Sequence, residues 1–373
     1  MKIGLIGAGR LGICLALLIN ESGYDVIASD VREDYVNDLK NKKCSTTEPG
    51  VQELLSKSRR IEFTTDNKKV IKESDIIFTL VQTPSLEDGS YDVSAVWNVI
   101  RDFEQIDMML NGKSLVVGCT TNPGDCDKFH DHLKMIGVGV YYNPEFIAQG
   151  SIINDLRYAD MVLIGGTGKH TSVLDEIYER IQDGFKDPSI HNMSTRAAEL
   201  TKIAVNCFLT TKISYANQVG QVMIKSGMED EIDTVLKAIG SDDRIGRKYL
   251  GFGFGFGGPC FPRDNRAFAA CSQQVGVENS IGETTDNFNN EHSDFLRDYY
   301  LNKNPDELPY CFKYLTYKAG IDILIESRPY DLALALLEEG YKVYCIDDTM
   351  KDQVDKRIIF DPAPLEPVCW VDL

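Results

Sequence analysis

Residues 2–30 constrain the fold more than any other stretch of the chain. A short apolar run, 2–6, leads into Gly7-Ala8-Gly9-Arg10-Leu11-Gly12 and then a helical apolar pattern through Leu15, Leu18 and Ile19, which Gly23 ends. Residues 25–29 form a second strand-like run that closes on Asp30. Between a strand and a helix each glycine has a distinct physical task. Gly7 makes the turn, Gly9 lets a pyrophosphate approach the backbone, and Gly12 lets helix and sheet pack closely. The phosphates then face the positive end of the helix. Asp30, about 20 positions past the glycines, is placed to accept hydrogen bonds from a ribose diol. Its carboxylate would repel a 2′-phosphate, so the pattern predicts NAD rather than NADP in spite of the nearby Arg32. Gly7, Gly9, Leu11, Gly12 and Asp30 are the candidate cofactor-binding residues of this segment.

The same run imitates a signal peptide, because Lys2 precedes mostly apolar residues as far as Ile19. Arg10 interrupts it, and its glycines already have the nucleotide explanation. The expectation is therefore no leader segment. No apolar run reaches the length of a membrane span.

Further strand-like runs follow at 75–81, 114–117, 138–142 and 161–164, alternating with helical segments. That alternation predicts a doubly wound parallel sheet, a Rossmann-type α/β domain. Sheets of this kind bind ligands beyond the carboxyl ends of their strands. Thr83, Thr120 and Glu145 all stand just past such ends. Turn chemistry and helix capping account equally well for any one of them taken singly.

From about residue 194 to 225 the pattern is helical, with no glycine or proline before Gly220. Lys202 and Asn206 are four apart and share one face. On local grounds, residues of these types on a helix are more often solvated than catalytic. A further helix, 231–239, leads through Arg244 to the stretch 251–264, Gly-Phe-Gly-Phe-Gly-Phe-Gly-Gly-Pro-Cys-Phe-Pro-Arg-Asp. Glycine this dense weakens a strand and favours irregular backbone, whose N–H groups can come within reach of a ligand. Cys260 lies beside Arg263 and Asp264, a setting in which a thiol can act as a nucleophile, since the thiolate is the reactive form and positive charge favours it. A buried structural cysteine is the competing reading.

A chain of 373 residues is too long for one ordinary core. The expected organisation is a dinucleotide domain, 1–193, a central helical domain with the cysteine loop, 194–290, and a small C-terminal α/β domain, 291–373. In the last, 309–317 and 341–346 are strand-like around a helix at 330–339, and the proline-bearing stretch after 360 lacks a clear closing strand and helix. The net charge of −18, with no compensating basic patch, argues against a nucleic-acid partner. The ten scattered cysteines, with no Cys-x-x-Cys pair, suit a reducing cytoplasm. Five histidines, of which only His130 and His132 are close together, give metal binding little support, and no metal is expected.

Taken together and in this order, these motifs resemble the UDP-glucose/GDP-mannose dehydrogenase family of nucleotide-sugar dehydrogenases, and within it most closely the UDP-glucose 6-dehydrogenases. The resemblance covers 7–12 with Asp30, 81–84 followed by Asp88-Gly89 and Asp92, 143–150, 199–214, 243–246, 256–264 and, more loosely, 317–327. It implies an NAD-dependent, four-electron oxidation of a nucleotide sugar, UDP-glucose first among them, in a cytoplasmic homodimer. Cys260 falls on the family nucleophile, Lys202 and Asn206 on the groups facing the reacting oxygen, and Asp264 on the partner of the hydrolytic water. Thr120 and Glu145 fall on positions that organise water and cofactor, with Thr83 and Arg263 on the cofactor side. Phe146, Lys202, Asn206, Tyr249, Gly253, Gly257 and Lys318 fall on substrate contacts, and Arg244 on an arginine that reaches in from a neighbouring subunit.

Against the family pattern the C-terminal domain stops short, without a clear closing strand and helix, and two residues depart from it. Ile325 stands where an arginine that helps hold the cofactor is usual, with Arg328 as a substitute within reach, and Gln149 is an amide where an acid is usual. Other readings remain open: a dehydrogenase of GDP-mannose or of a UDP-N-acetyl sugar, a two-electron 3-hydroxyacid or phosphogluconate dehydrogenase, which needs no cysteine, and a non-catalytic nucleotide-sugar-binding relic.

Overall fold

The computed structural model describes residues 1–147, 149–185 and 189–373. The chain divides into two compact units, Met1–Lys202 and Ile203–Leu373.

In the first unit, strands β1 (Lys2–Ile6), β2 (Asp25–Ser29), β3 (Ile61–Thr64), β4 (Ile76–Thr79), β5 (Ser114–Val117), β6 (Gly139–Tyr142), β7 (Val162–Gly165) and β8 (Ile190–Met193) form one sheet in the order β3-β2-β1-β4-β5-β6-β7-β8. Helices α1 (Arg10–Glu21), α2 (Glu33–Lys40), α3 (Val51–Lys57), α4 (Asn67–Glu73), α5 (Ser94–Glu104), α6 (Asp125–Leu133), α7 (Ile152–Arg157) and α8 (Thr171–Gln182) connect them. Successive strand residues point to opposite faces. Thus Leu5, Ala28, Phe78 and Val116 join one buried apolar cluster, while Ile6, Ile27, Ile77 and Val117 join the other. Both faces are covered, which is why these strands read as continuous apolar runs.

Helix α1 is buried from Gly12 to Asn20. It packs against α3, α7 and α8 as well as the first strands. A helix enclosed on several sides is apolar nearly all round, which explains the resemblance of this run to a signal peptide.

The expected parallel sheet is found with one exception: β6 and β7 pair antiparallel, so β7 and β8 run against the other six strands. Periodicity reports which face a side chain takes, not strand direction. The strands at the two ends of the sheet, β3 and β8, left no signal in the sequence, since both are short and half polar.

The boundary between the units falls within α9 (Thr195–Lys225). The second unit continues with α10 (Ile232–Gly240), α11 (Phe261–Gln274) and α12 (Ile281–Lys303), which runs unbroken through residue 290. A small sheet follows, made of β9 (Tyr310–Phe312), β10 (Val343–Cys345), β11 (Ile359–Phe360) and β12 (Cys369–Val371), in the order β11-β10-β9-β12 and parallel throughout, with α13 (Arg328–Glu338) packed on it. The fold class expected from the sequence, a Rossmann-type domain, a long-helix region and a smaller α/β region, is the one observed. The absence of a closing strand is corrected: β12 pairs with β9 and buries Val371 in the local core. A three-residue strand after a proline-bearing segment is too short to show a period.

Candidate functional site

The first unit carries a dinucleotide cradle. Gly7 has φ +95°, a turn conformation that disfavours a side chain, and its N–H and that of Ala8 both donate to the Ser29 carbonyl. A Cβ on Gly12 would stand 2.1 Å from the Gly7 oxygen, so only glycine lets α1 start this close to β1. At Gly9, by contrast, a Cβ would meet no atom within 4 Å. Helix α1 begins with neither a side-chain cap nor an acid in its first turn. Open space in front of an uncapped helix N-terminus is what a pyrophosphate requires, and the residues present fit the group. Asp30, 8% exposed, follows β2. Arg32 donates to both of its carboxylate oxygens through Nε at 2.8 Å and Nη2 at 2.9 Å, and its N–H donates at 3.1 Å. Although burial opposes ionisation, these bonds hold the Asp30 carboxyl below its usual range. Oδ1 accepts two of these bonds and Oδ2 only one, so Oδ2 keeps a lone pair for a ribose hydroxyl.

Thr83, Thr120 and Glu145 follow β4, β5 and β6, neighbours in the sheet, and so stand along the same carboxyl edge as Gly7 and Asp30. Lys202 on α9 donates from Nζ to the Glu145 carbonyl oxygen at 2.8 Å and lies over the Phe146 ring, 4.6 Å from its centroid. The predicted residues Glu145, Phe146 and Lys202 are thus one cluster. Burial pushes the Glu145 carboxyl up to about 7, against the pull of the Tyr178 hydroxyl and the Lys202 charge. A carboxyl near 7 can both accept and return a proton at neutral pH.

Glu199, which sequence reasoning did not assign a role, fixes the Thr120 loop. Its buried carboxylate accepts from Thr121 Oγ1 at 2.9 Å, Gly124 N at 2.6 Å and Cys126 N at 2.9 Å. Two of these donors are backbone groups at the start of α6, so Glu199 supplies the cap that Gly124 cannot. Within 143–150, Ala148 lies outside the described residues, and Gln149 accepts from Arg10 Nη1 at 2.9 Å.

In the second unit, Cys260 is exposed and occupies the N-cap of α11. The competing reading of a buried structural cysteine is therefore set aside. Negative charge on this sulfur would face the positive end of α11. Asp264, buried in the first turn of α11, accepts from Asn206 Nδ2 at 2.5 Å. Behind it, Asn265 bonds Thr210 and the Phe261 carbonyl, which locks the start of α11 against α9.

The glycine-phenylalanine stretch is irregular, as its composition predicts, and three buried side chains hold it. Asn217 Oδ1 accepts from Gly253 N at 3.0 Å, and His292 Nε2 bonds the Gly253 oxygen at 2.8 Å. Asn289 accepts from Phe256 N at 2.9 Å and donates to Phe256 O at 2.8 Å. Asn289 and His292 lie in a run of asparagines within α12; such weak helix formers are a sign of side chains working on other backbone, legible only after the fact. The loop walls a groove of about 310 Å³, lined by Tyr249, Phe256, Gly257, Phe261, Tyr317 and Lys318 among others. Three predicted substrate residues, Tyr249, Gly257 and Lys318, therefore meet in one groove. Gly253 stands outside its lining, with both backbone polar groups held by protein. Arg244 is also outside, 88% exposed and paired with Asp242. Arg263 donates to the Pro259 oxygen at 3.3 Å. Ile325 is exposed, while Arg328 is engaged by the Phe256 carbonyl and Asn290.

Among the described residues, no helix is long and apolar enough to cross a membrane, and no group of three or more His, Cys, Asp or Glu is placed to hold a metal.

The chain matches two family models, the NAD-binding domain of the UDP-glucose/GDP-mannose dehydrogenase family over residues 1–182 and its central domain over 196–291. It is 29% identical to the UDP-glucose 6-dehydrogenase of Haloferax volcanii over 96% of this chain and 85% of that one. It is 30% identical to the GDP-mannose 6-dehydrogenase of Pseudomonas aeruginosa over 93% of this chain and 81% of that one. Among solved structures, the UDP-glucose dehydrogenase of Pyrobaculum islandicum superposes with a TM-score of 0.83 at 28% identity, covering 97% of this chain and 86% of that one. The cradle, the cysteine loop and these matches agree: this chain belongs to the UDP-glucose/GDP-mannose dehydrogenase family, nucleotide-sugar dehydrogenases that use NAD.

Proposed function

We propose that this chain oxidises UDP-glucose to UDP-glucuronate through a covalent adduct on Cys260. The observation that carries the reading is an exposed thiol at a helix N-terminus, one turn from a buried carboxylate that Asn206 holds. NAD, when bound, accepts one hydride at each of two successive oxidations, so two molecules are consumed per sugar. Glu145 removes the proton of the substrate alcohol as the first hydride leaves. The Cys260 sulfur adds to the resulting aldehyde carbon and holds it as a thiohemiacetal. Loss of the second hydride gives a thioester. Asp264, with Thr120 and Glu145, orders the water that adds to the thioester carbon, and the sulfur departs as the acid forms. Lys202 and Asn206 donate to the oxygen that gains negative charge at each addition. Gly7, Gly9, Leu11, Gly12, Asp30, Thr83 and Arg263 serve the cofactor, and Phe146, Tyr249, Gly253, Gly257 and Lys318 the nucleotide sugar.

Incubating the protein with NAD and a panel of nucleotide sugars tests this. Two NADH per UDP-glucose is the expected result; one NADH favours a two-electron dehydrogenase, and none with tight binding favours a relic. The similar identities to UDP-glucose and GDP-mannose enzymes keep GDP-mannose as the second substrate to try, with UDP-N-acetyl sugars next.

The three-part division at residues 193 and 290 and a homodimer belong to the same proposal. On α9, Phe208, Tyr215 and Val222 recur every seven residues and are 67%, 54% and 58% exposed. One face of a long helix with this much apolar surface suits a second copy of the chain, and the exposed Arg244 is free of the groove on its own chain. Sedimentation should give a dimer at assay concentration, and Phe208→Asp should shift it to monomer with loss of activity. A fully active monomer would rule the dimer out. The ten free cysteines support a reducing location, the cytoplasm.

A further inference from the structure

The hydroxyl of Tyr178, on α8, lies 2.6 Å from Asn143 Oδ1 and 2.6 Å from Glu145 Oε1. Tyr178 is 1% exposed and Asn143 2%. Counting protons across this trio decides its behaviour. Asn143 Nδ2 donates to the Leu163 carbonyl at 2.9 Å. A backbone carbonyl can only accept, so the amide must turn its own oxygen towards Tyr178. Tyr178 therefore faces two acceptors with one proton. When Glu145 is ionised, the phenol can satisfy the carboxylate or the amide oxygen, and the other is left bare in a buried place. When Glu145 carries a proton, the chain closes: Glu145 donates to the phenol oxygen and the phenol donates to Asn143. An unmatched buried acceptor costs more than a matched one gains.

We propose that Tyr178 is a positioning residue whose single proton swings between Glu145 and Asn143, so that the Tyr178–Asn143 pair lets Glu145 take up and release a proton without leaving its place. This rests on the reading of Glu145 as the base of the reaction. Taking a proton from the substrate turns the Tyr178 hydroxyl towards Asn143, and giving it back turns the hydroxyl towards Glu145. No bond within the protein breaks other than these hydrogen bonds. The other charged group at this place is Lys202 of α9, which donates to the Glu145 backbone oxygen and leaves the carboxyl to Tyr178. The position of Glu145 near 7, set first by burial, agrees with a carboxyl whose hydroxyl donor is contested.

The test is an infrared pH titration of the full-length protein, following the protonated-carboxyl band that Glu145→Gln removes. Tyr178→Phe deletes the donor to the carboxylate, and the midpoint should rise by about one pH unit. Asn143→Leu deletes the competing acceptor and frees the phenol for Glu145, so the midpoint should fall by about one unit. The acidic limb of the rate profile should move with each midpoint. Opposite shifts are a signature that general loosening of the site does not produce. Midpoints that stay together, or move the same way in both variants, overturn the relay. Should Asn143→Leu not fold, an unshifted midpoint in Tyr178→Phe overturns it alone. If the rate of Glu145→Gln keeps its acidic limb, the base assignment falls, while the infrared midpoints still judge the relay.

Discussion

Cys260→Ser is expected to fold, to bind NAD and to release no acid at an appreciable rate. The side chain is exposed, so exchanging sulfur for oxygen should change stability by less than about 0.5 kcal/mol. The first hydride transfer needs only the alcohol and a base, and should survive. On the proposed mechanism the second needs the aldehyde held as a covalent adduct, and a serine hydroxyl is a far weaker nucleophile than a thiolate at neutral pH. Acid formation should fall on the order of a thousandfold or more. The variant then stops at the aldehyde or stalls as an ester. Mass spectrometry after incubation with substrate and NAD distinguishes the two, since the ester adds the mass of the sugar nucleotide to the chain. Steady acid release near the normal rate by Cys260→Ser or Cys260→Ala would remove the thiol from the mechanism. The two-electron reading would then take its place.

The parts of this site that were legible in the sequence are those in which backbone geometry demands one residue type. Gly7 and Gly12 could be read because a turn with positive φ and a contact at 2.1 Å exclude side chains. Asp30 could be placed because it closes a short strand-like run with a buried apolar centre, residues 26–28, about 20 positions past the glycines. The irregular course of 251–260 followed from its glycine density, and α9 from an unbroken helical pattern. What stayed hidden depends on partners distant in sequence. Tyr178 looks like one more apolar position on α8, and only the fold brings its hydroxyl to residues more than thirty positions away. Glu199 reads as a solvated acid, yet it is buried as the cap of another helix. The reversal at β7 was unreadable for a different reason. Its apolar residues are the same whichever way the strand runs, and the direction is set by the route of the chain through α7.

The scaffold behind the glycine-phenylalanine loop makes a second strong expectation, for Asn289→Ala. Asn289 is 1% exposed and serves both polar groups of Phe256, a residue of the groove wall. Truncation leaves the Phe256 N–H buried without that partner, while the Phe256 carbonyl keeps Arg328 Nε at 3.3 Å. One orphaned donor and one weakened acceptor should cost about 2–4 kcal/mol. For a unit of this size that corresponds to a fall in Tm of roughly 5–15 °C. The loop should also lose its fixed course, so that KM for the best nucleotide sugar of the panel rises about tenfold or more. NAD affinity should hold, since Asp30 and the glycine turn belong to the other unit. Loss of stability by itself must be separated from loss of the groove. Leu336→Ala serves that purpose: Leu336 is fully buried in the core beside the small C-terminal sheet, and its truncation costs about 2–5 kcal/mol while removing no hydrogen bond from the loop. Thermal melts and initial rates of the two variants, taken well below either Tm, make the comparison. A KM that rises equally in both would reduce Asn289 to a packing residue, and a KM that rises only in Asn289→Ala assigns it to holding the wall of a groove that takes the nucleotide sugar.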